Sequence, residues 1–308
     1  MRLSLPTLLL PALVFAISTA APAQSVAPPQ DTLVLGRVSD NPKAHYEQLK
    51  PLLDYAVERL RPLGIRHGRV LMARDRQQMA SYLRRGRVDW VTETAGTAMD
   101  FAQRAGATPL VVTERNGVSS YHTVFFARRD SGIASLQDLA GRSIAFQNPS
   151  STSAYYAPAA ALLAAGLQPE ILLSPQDTPS PGTIGYVFAR SEGNIATWVH
   201  KRLVDAGAFS NLDWASLDRL PASYSEDLVV FHRTAPFPRG IELVRAGLDP
   251  RISERLQSIL LSAHEDPEAR EPMLRFFGTT RFLPVDEPTG AELGSLTEGV
   301  RRVRSALE

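Results

Sequence analysis

Residues 141–158 read GRSIAFQNPSSTSAYYAP, and this stretch changes its character near the middle. The apolar run at residues 143–146 predicts a strand, and the alanine-rich run at residues 157–165 predicts a helix. Between them lie four hydroxyl residues in succession, Ser150, Ser151, Thr152 and Ser153. Serine and threonine are common helix caps, so one interpretation of the hydroxyls is purely structural.

A second interpretation follows from where the hydroxyls would lie. In open α/β sheets, ligands bind at the carboxyl ends of the strands. A helix that begins there offers unpaired N–H groups and a positive dipole end, which together bind an oxyanion. Hydroxyl groups in the cap and first turn add further donors. The stretch is therefore a candidate anion site, with a simple cap as the alternative.

The composition is that of a soluble globular protein, with 44% apolar and 21% charged residues in 308. The formal net charge is only +1 and no basic block stands out, which argues against nucleic acid as a partner. The histidines show no metal-ligand spacing, there is no cysteine, and no nucleophile elbow, P-loop or dinucleotide motif occurs. We therefore expect neither a metal nor a cofactor, and no enzyme activity.

The first residues resemble a secretory signal peptide. Arg2 precedes a short apolar core at residues 8–17, and Ala21-Pro22-Ala23 reads as a small-x-small cleavage site. The core is too short to cross a membrane. We predict a signal peptide over residues 1–23 and a protein free in the periplasm. Because the sequence contains no cysteine, we expect no lipid anchor attached to a cysteine after the signal peptide.

Strand-like and helix-like runs alternate along most of the remaining chain. The pattern of strands occurs at residues 32–36, 69–72, 88–91 and 109–112. A helix follows each of the first three: the first two are capped by Asn41 and Asp75, and the third is expected at residues 97–104. Pro51 should break or kink the first helix. The alternation predicts an α/β class with helices that cover parallel or mixed sheets. With no linker visible, the sequence suggests two domains joined by strands that cross between them.

The hydroxyl stretch, followed by ALLAAGL at residues 161–167, resembles the periplasmic phosphonate-binding proteins of ABC importers. Further matching segments occur in the same order, so that the resemblance runs over most of residues 32–283; they are GRVDWVTETAG (86–96), YHTVFFARRDSGIASLQDLAGRSIAF (121–146), VDAGAF (204–209) and DPEAREPMLRFFGTTRF (266–282). The resemblance implies a type II periplasmic-binding-protein fold. Two mixed α/β domains, joined by crossing hinge strands, would close on the ligand. Lobe one would hold residues 31–122 and 230–308, and lobe two residues 123–229.

The same resemblance implies a set of ligand contacts. Ser151, Thr152 and Ser153 would hold the phosphonate or phosphate oxygens. Tyr46 would line the cleft as an aromatic residue near the start of the first helix, or else simply belong to that helix's apolar stripe. The other expected contacts on lobe one are Thr92, Glu93, Thr94 and Tyr121. Tyr121 would replace an aromatic contact that the family has and this chain lacks, or else be a hinge residue that packs against lobe one.

Three further residues are expected near the ligand from lobe two. Asp205 matches an acidic residue of the family, and its carboxylate would accept a hydrogen bond from a protonated phosphate or an ammonium group. A fully deprotonated sulfate has no such donor. Glu192 and Asn194 stand where the family usually has a histidine-bearing segment, with Asn194 as a good helix cap. This departure leaves the end of the ligand away from phosphorus undefined.

The resemblance implies a monomer that delivers a small oxyanion to the membrane subunits of an ABC permease. Three alternatives remain open from the sequence. The same fold could present its ligand to a membrane sensor. It could bind another small anion, such as a carboxylate, a sulfonate or a thiamine-precursor-like molecule. Finally, Ser151 or Ser153 could be the nucleophile of an exported hydrolase, although no base is placed beside them.

Overall fold

A computed structural model of the chain describes residues 31–308. The signal peptide predicted for residues 1–23 lies outside the described residues. No helix in the described part of the chain combines the length and the apolar character needed to cross a membrane.

Strands and helices alternate along the described chain. The strands are β1 (Thr32–Val38), β2 (His67–Ala73), β3 (Trp90–Glu93), β4 (Thr108–Arg115), β5 (Ser120–Tyr121), β6 (Thr123–Arg128), β7 (Ser143–Phe146), β8 (Pro169–Ile171), β9 (Ile184–Phe188), β10 (Ala206–Ser210), β11 (Leu228–Arg233), β12 (Phe237–Pro238), β13 (Ile241–Val244) and β14 (Thr279–Leu283). The α-helices are α1 (Pro42–Leu60), α2 (Arg76–Arg84), α3 (Ala95–Ala105), α4 (Ala157–Ala164), α5 (Glu192–His200), α6 (Asn211–Trp214), α7 (Ala222–Ser225), α8 (Pro250–Ser262), α9 (Arg270–Arg275) and α10 (Glu287–Leu307). A π-helical turn, Thr152–Tyr156, leads directly into α4.

The strands form two mixed sheets of six strands each, one in each lobe. The spatial order is β14-β4-β13-β3-β1-β2 in the first sheet and β11-β6-β10-β7-β9-β8 in the second. In the first sheet β2, β1 and β3 are parallel, and in the second β8, β9, β7 and β10 are parallel. These parallel strands are the ones that present their carboxyl ends to a common edge.

Two short segments connect the sheets, one between β4 and β6 and the other between β11 and β13. The two segments pair with each other, because β5 and β12 form a small antiparallel ribbon in which Tyr121 lies opposite Phe237. The lobe boundary predicted at residue 230 falls inside β11, which continues in the second sheet as far as Arg233. We otherwise retain the predicted lobes as a proposed division of the chain.

Helix α1 corrects the expectation for Pro51. The helix runs without interruption from Pro42 to Leu60 although it contains Pro51. Its buried residues, which include Leu49, Leu53 and Leu60, pack into the core that also contains Trp90 of β3. Packing of this apolar face compensates for the backbone hydrogen bond that proline cannot donate.

Helix α10 contacts both lobes. Val300 and Val303 are fully buried, and they belong to one apolar core that also contains Met99 of α3 and Ile144 of β7. The helix packs against α3 in the first lobe and α4 in the second. It packs tightly on α4 at Gly299, where an added Cβ would lie 3.0 Å from the Cβ of Ala160.

Candidate functional site: an arginine-lined cleft

A cavity of about 710 Å³ lies between the two sheets. It is lined from the first lobe by residues at or just beyond the carboxyl ends of β1, β2, β3 and β4, and from the second by residues just beyond β7, β9 and β10. Both sheets thus turn their strand ends toward the same space, as open α/β sheets do at their ligand sites. The volume is in the range usual for small-molecule sites.

The hydroxyl stretch follows β7 and lines this cavity. Ser151 is the helix cap, because its Oγ accepts a hydrogen bond from the N–H of Ala154 at 3.1 Å. Ser153 is buried and also lines the cavity. The turn that begins at Thr152 is π-helical, a geometry that is frequent at functional sites. The cap and the anion-site interpretations are thus compatible, since the capped helix end faces the cleft.

Thr152 connects the two lobes. Its Oγ1 accepts a hydrogen bond from the N–H of Gly96 at 2.8 Å, at the start of α3 in the first lobe. Beside it, the Oγ1 of Thr97 donates to the carbonyl oxygen of Ser150 at 2.9 Å. Thr152 and Ser150 line the cavity, so both contacts join the hydroxyl stretch to the amino end of α3 at the edge of the cleft.

Three residues expected on lobe one line the cavity. Glu93 is buried, its Oε1 accepts a hydrogen bond from the N–H of Val38 at 2.8 Å, and burial raises its pKa. The Oγ1 of Thr94 is buried without a hydrogen-bond partner among the described residues. Burial raises the pKa of Tyr121 to about 12, so its phenol remains protonated and can donate a hydrogen bond to an anion.

Arginine supplies most of the positive charge of the cavity wall. Five arginines line it, Arg37, Arg74, Arg115, Arg190 and Arg239. Arg74 is exposed and pairs with Asp75. Within residues 31–308 the other four make no ion pair with a carboxylate. Unpaired guanidinium groups that share a cavity provide donors for an anionic ligand.

Two carboxylates line the cavity from the second lobe. Glu192 is the first residue of α5, and burial together with the charge of Asp213 raises its pKa. Asp213 lies just beyond the carboxyl end of β10, where it accepts a hydrogen bond from the hydroxyl of Ser210. The site therefore has an acidic region on the second lobe as well as its guanidinium groups.

Several predicted contacts lie outside the cavity. Tyr46 is 47% exposed, and its neighbour His45 lines the cavity in its place. Thr92 is fully buried, and its hydroxyl donates to the buried carboxylate of Glu242 at 2.7 Å. The side chain of Asn194 donates to the carbonyl oxygen of Ala189 at 2.7 Å, and the cap of α5 is Ser191 instead.

The prediction for Asp205 is corrected by the topology of the second sheet. Asp205 precedes β10, and its Oδ2 accepts hydrogen bonds from the N–H (2.9 Å) and the hydroxyl (3.0 Å) of Ser143, the first residue of β7. Both strands begin here, and β7 and β10 are parallel. The cavity lies at their opposite, carboxyl ends. Asp205 therefore joins two strands and is not a ligand contact.

The arginines of the cleft were not among the contacts predicted from the sequence. Arg37 and Arg115 each follow an apolar run that was read as a strand, so the rule that places ligands at strand ends could have found them. Gly240 carried a second signal. A Cβ at Gly240 would lie 2.9 Å from the Nη2 of Arg115, so glycine is needed there to make room for the guanidinium.

Comparison with known protein families gives a match over most of the chain. A model described as "ABC transporter, phosphonate, periplasmic substrate-binding protein" matches residues 36–289. Among solved structures, PhnD1 from Prochlorococcus marinus in complex with methylphosphonate has a TM-score of 0.62 at 15% identity, and covers 89% of this chain and 98% of its own. At that identity the likeness concerns the fold, which is the two-lobed α/β fold of type II periplasmic binding proteins.

A nearer relative is XAC2383 from Xanthomonas citri. Its structure bound to ATP has a TM-score of 0.86 and 51% identity, covering 91% of this chain and 100% of that one. Its structure bound to chloride ion has a TM-score of 0.85 and 52% identity, with coverage of 90% and 99%. Together with the family match over residues 36–289, the two-lobed fold and the cleft at the strand ends, this places the chain in the phosphonate-binding family of periplasmic ABC-transporter substrate-binding proteins.

Proposed function

We propose that the protein captures a small phosphate- or phosphonate-bearing anion between its lobes and delivers it to the membrane subunits of an ABC permease. The observation that carries the proposal is the set of four guanidinium groups without carboxylate partners around one cavity, among the described residues. Unpaired cations in a partly buried cleft are costly unless an anion neutralises them. Chloride and ATP, which are bound in the two XAC2383 structures, are both anions and so fit a positively charged cleft.

In the proposed mechanism no bond is made or broken. The ligand first meets the exposed wall of one lobe, and its oxygens accept hydrogen bonds from Ser151, Ser153 and the amino end of the helix that follows them. The arginines of the other lobe then contact the same ligand. The closed conformation gains stability only through contacts that the open one lacks, so contacts from both lobes drive closure.

Calorimetric titration of the mature protein tests this proposal, after bound ligand has been removed by unfolding and refolding. The panel contains phosphate, phosphite, methylphosphonate, 2-aminoethylphosphonate, ATP, sulfate and several carboxylates. We expect at least one phosphorus oxyanion to bind more tightly than sulfate and the carboxylates. Tight binding of a carboxylate or sulfonate, with every phosphorus compound silent, would contradict the proposal and favour another ligand class.

A double variant tests the role of the hydroxyl stretch. Ser151→Ala with Ser153→Ala removes two donors and should weaken binding of the preferred anion by roughly fivefold to a hundredfold, since each hydrogen bond contributes about 0.5–1.5 kcal/mol. Thr152 is left intact because it joins the lobes. Ser253→Ala on α8, outside the cavity, is the control. Equal affinities in all three proteins would reduce the stretch to a cap.

Transport and sensing differ in what happens after capture. For an importer, deletion of the protein should abolish cellular accumulation of the labelled ligand. Accumulation that is unaffected by the deletion, with ligand binding intact in the purified protein, would instead favour presentation of the ligand to a membrane sensor.

A further inference from the structure

Arg115 is the most unusual residue of the cleft. It ends β4, its side chain is only 8% exposed, and neither its Nε nor its Nη2 has a hydrogen-bond partner among residues 31–308. A buried guanidinium normally has carboxylate or carbonyl partners for most of its five donors. Because Arg115 lines the cavity, its free donors point to a partner that enters the cavity from outside.

Two more arginines accompany it on the first lobe. Arg37 at the end of β1 also has a buried Nε without a partner, while its Nη1 donates to the carbonyl oxygen of Thr92 at 3.3 Å. Arg239 donates to the carbonyl oxygen of Arg115 at 3.0 Å. We call Arg37, Arg115 and Arg239 the arginine cluster. Burial and the charge of Arg37 lower the pKa of Arg115 to about 10, so the cluster still holds like charges close together at neutral pH.

The protein itself does not neutralise this cluster by direct pairing. Glu242 is fully buried nearby, but its two oxygens accept hydrogen bonds from Trp90, Thr92 and Thr113. Glu93 accepts from the N–H of Val38, and burial raises the pKa of both carboxyl groups. Phe277 supports the cluster from one side, with its ring centroid 4.3 Å from the Cζ of Arg37 and 4.8 Å from that of Arg115.

The arginine cluster and the hydroxyl stretch belong to different lobes and line the same cavity of about 710 Å³. We propose that the cluster is a second anion subsite, separate from the hydroxyl stretch, so that the ligand carries at least two phosphate groups and spans the cleft. This inference rests on the proposed function and narrows its ligand class to di- and polyphosphate compounds. The hydroxyl stretch binds one phosphate and the cluster binds the next.

Inorganic phosphates distinguish binding at one subsite from binding at both. These probes differ only in the number of phosphate groups, since they carry no organic part. The full mature chain is titrated with phosphate, pyrophosphate and tripolyphosphate at one fixed ionic strength. We expect pyrophosphate to bind at least about tenfold more tightly than phosphate, because each charge-assisted hydrogen bond contributes about 1.5–3 kcal/mol. Arg115→Met should weaken pyrophosphate and tripolyphosphate binding by roughly tenfold to a hundredfold and phosphate binding by less than about threefold.

Arg61→Met is the matched control, since Arg61 lies outside the cavity, is exposed and pairs with Glu58. It removes the same charge and should change every affinity by less than about threefold. Arg37→Met provides a second test of the cluster, should Arg115→Met fail to fold. Equal affinity of the wild type for phosphate and pyrophosphate, or an equal loss for both probes in the cluster variants, would overturn the second subsite and leave the proposed function intact. Silence of the wild type toward all three probes, and toward every phosphorus compound of the earlier panel, would overturn both.

Discussion

Phe277 has a left-handed backbone conformation, with φ of 56°, and its ring packs against the guanidinium groups of Arg37 and Arg115. Asn116, one residue after Arg115, also has a positive φ of 51°. Such conformations cost free energy in residues other than glycine, and they cluster at functional sites. Arg190, which lines the cavity, also has a positive φ of 71°, so three of the four left-handed residues other than glycine among residues 31–308 lie at or next to the cationic wall of the cleft.

We expect Glu192 to make the affinity for anions depend on pH. Burial and the charge of Asp213 raise its pKa above its ordinary value of 4.5. A bound polyanion disfavours the charged carboxylate further, so the protonated form binds better and affinity falls as the pH rises through the raised pKa. We expect Glu192→Gln to bind pyrophosphate roughly threefold to tenfold more tightly than the wild type near neutral pH, and the two to converge in acid.

Calorimetry of both proteins between about pH 5 and pH 8 measures this difference. Pyrophosphate changes its own protonation over this range, but this affects both proteins equally and cancels in the ratio of their affinities. Parallel curves for the two proteins would mean that Glu192 does not sense the ligand. Weaker binding by Glu192→Gln at every pH would instead make Glu192 a direct hydrogen-bond acceptor from the ligand.

Single residues of the site were predictable only where their pattern was local. The hydroxyl stretch was found because strand, cap and helix follow one another within residues 141–158. Asp205 was assigned wrongly because its role depends on which end of β10 it occupies, and that depends on pairing with β7. The arginine cluster combines residues from β1, β4 and the segment before β13, which only the sheet order brings together.

At the scale of elements, the alternation of strands and helices was readable because each has its own apolar period. The residues at which these elements begin and end were harder to predict. Helix α3 begins at Ala95, although residue 97 was expected as its start, and this difference matters because Gly96 in its first turn contacts Thr152. No local pattern signals a helix start that is fixed by the opposite lobe.

Gly96 leaves room for this contact between α3 and the hydroxyl stretch. An added Cβ would lie 2.9 Å from the Oγ1 of Thr152, closer than real Cβ contacts, and 3.0 Å from the Cδ2 of Tyr156, which is tighter than most of them. We expect Gly96→Ala to hold the lobes apart at this point and weaken anion binding by about tenfold, since overpacking costs about 1–3 kcal/mol. Titration calorimetry measures the loss.

Gly294→Ala is the control on a second helical glycine. Nothing lies within 4 Å of the Cβ position at Gly294 in α10, so alanine there should only favour the helix and raise the free energy of unfolding by about 0.5–1 kcal/mol. Chemical denaturation checks this gain. If Gly96→Ala bound the anion as tightly as Gly294→Ala, the α3 contact would have no part in closure.

At the scale of the molecule, the crossing segments and helix α10 both connect the two lobes. The two crossing segments pair as β5 and β12, and α10 packs against α3 and α4 together. A buried cluster centred on Asp100 reinforces the connection through α10, where Arg104 of α3 donates to its carboxylate and Arg304 of α10 forms an ion pair with it. The hydrogen bonds of Thr152 and Thr97 beside the cavity are few and polar, so they can open while these connections persist.

We therefore expect ligand-driven closure to change distances between the two lobes and to leave distances within each lobe unchanged. The chain has no cysteine, so Tyr46→Cys with Leu173→Cys places one dye on each lobe, at exposed positions of 47% and 98% that follow strand ends near the cleft. Saturating pyrophosphate should raise energy transfer between the dyes as the cleft closes, because the closed form alone has contacts from both lobes. A second pair at Leu173 and Leu217, both on the second lobe, should show no change. If transfer stayed constant in the first pair while calorimetry detected binding, the protein would bind its ligand without closing, and any membrane partner would have to recognise the ligand itself.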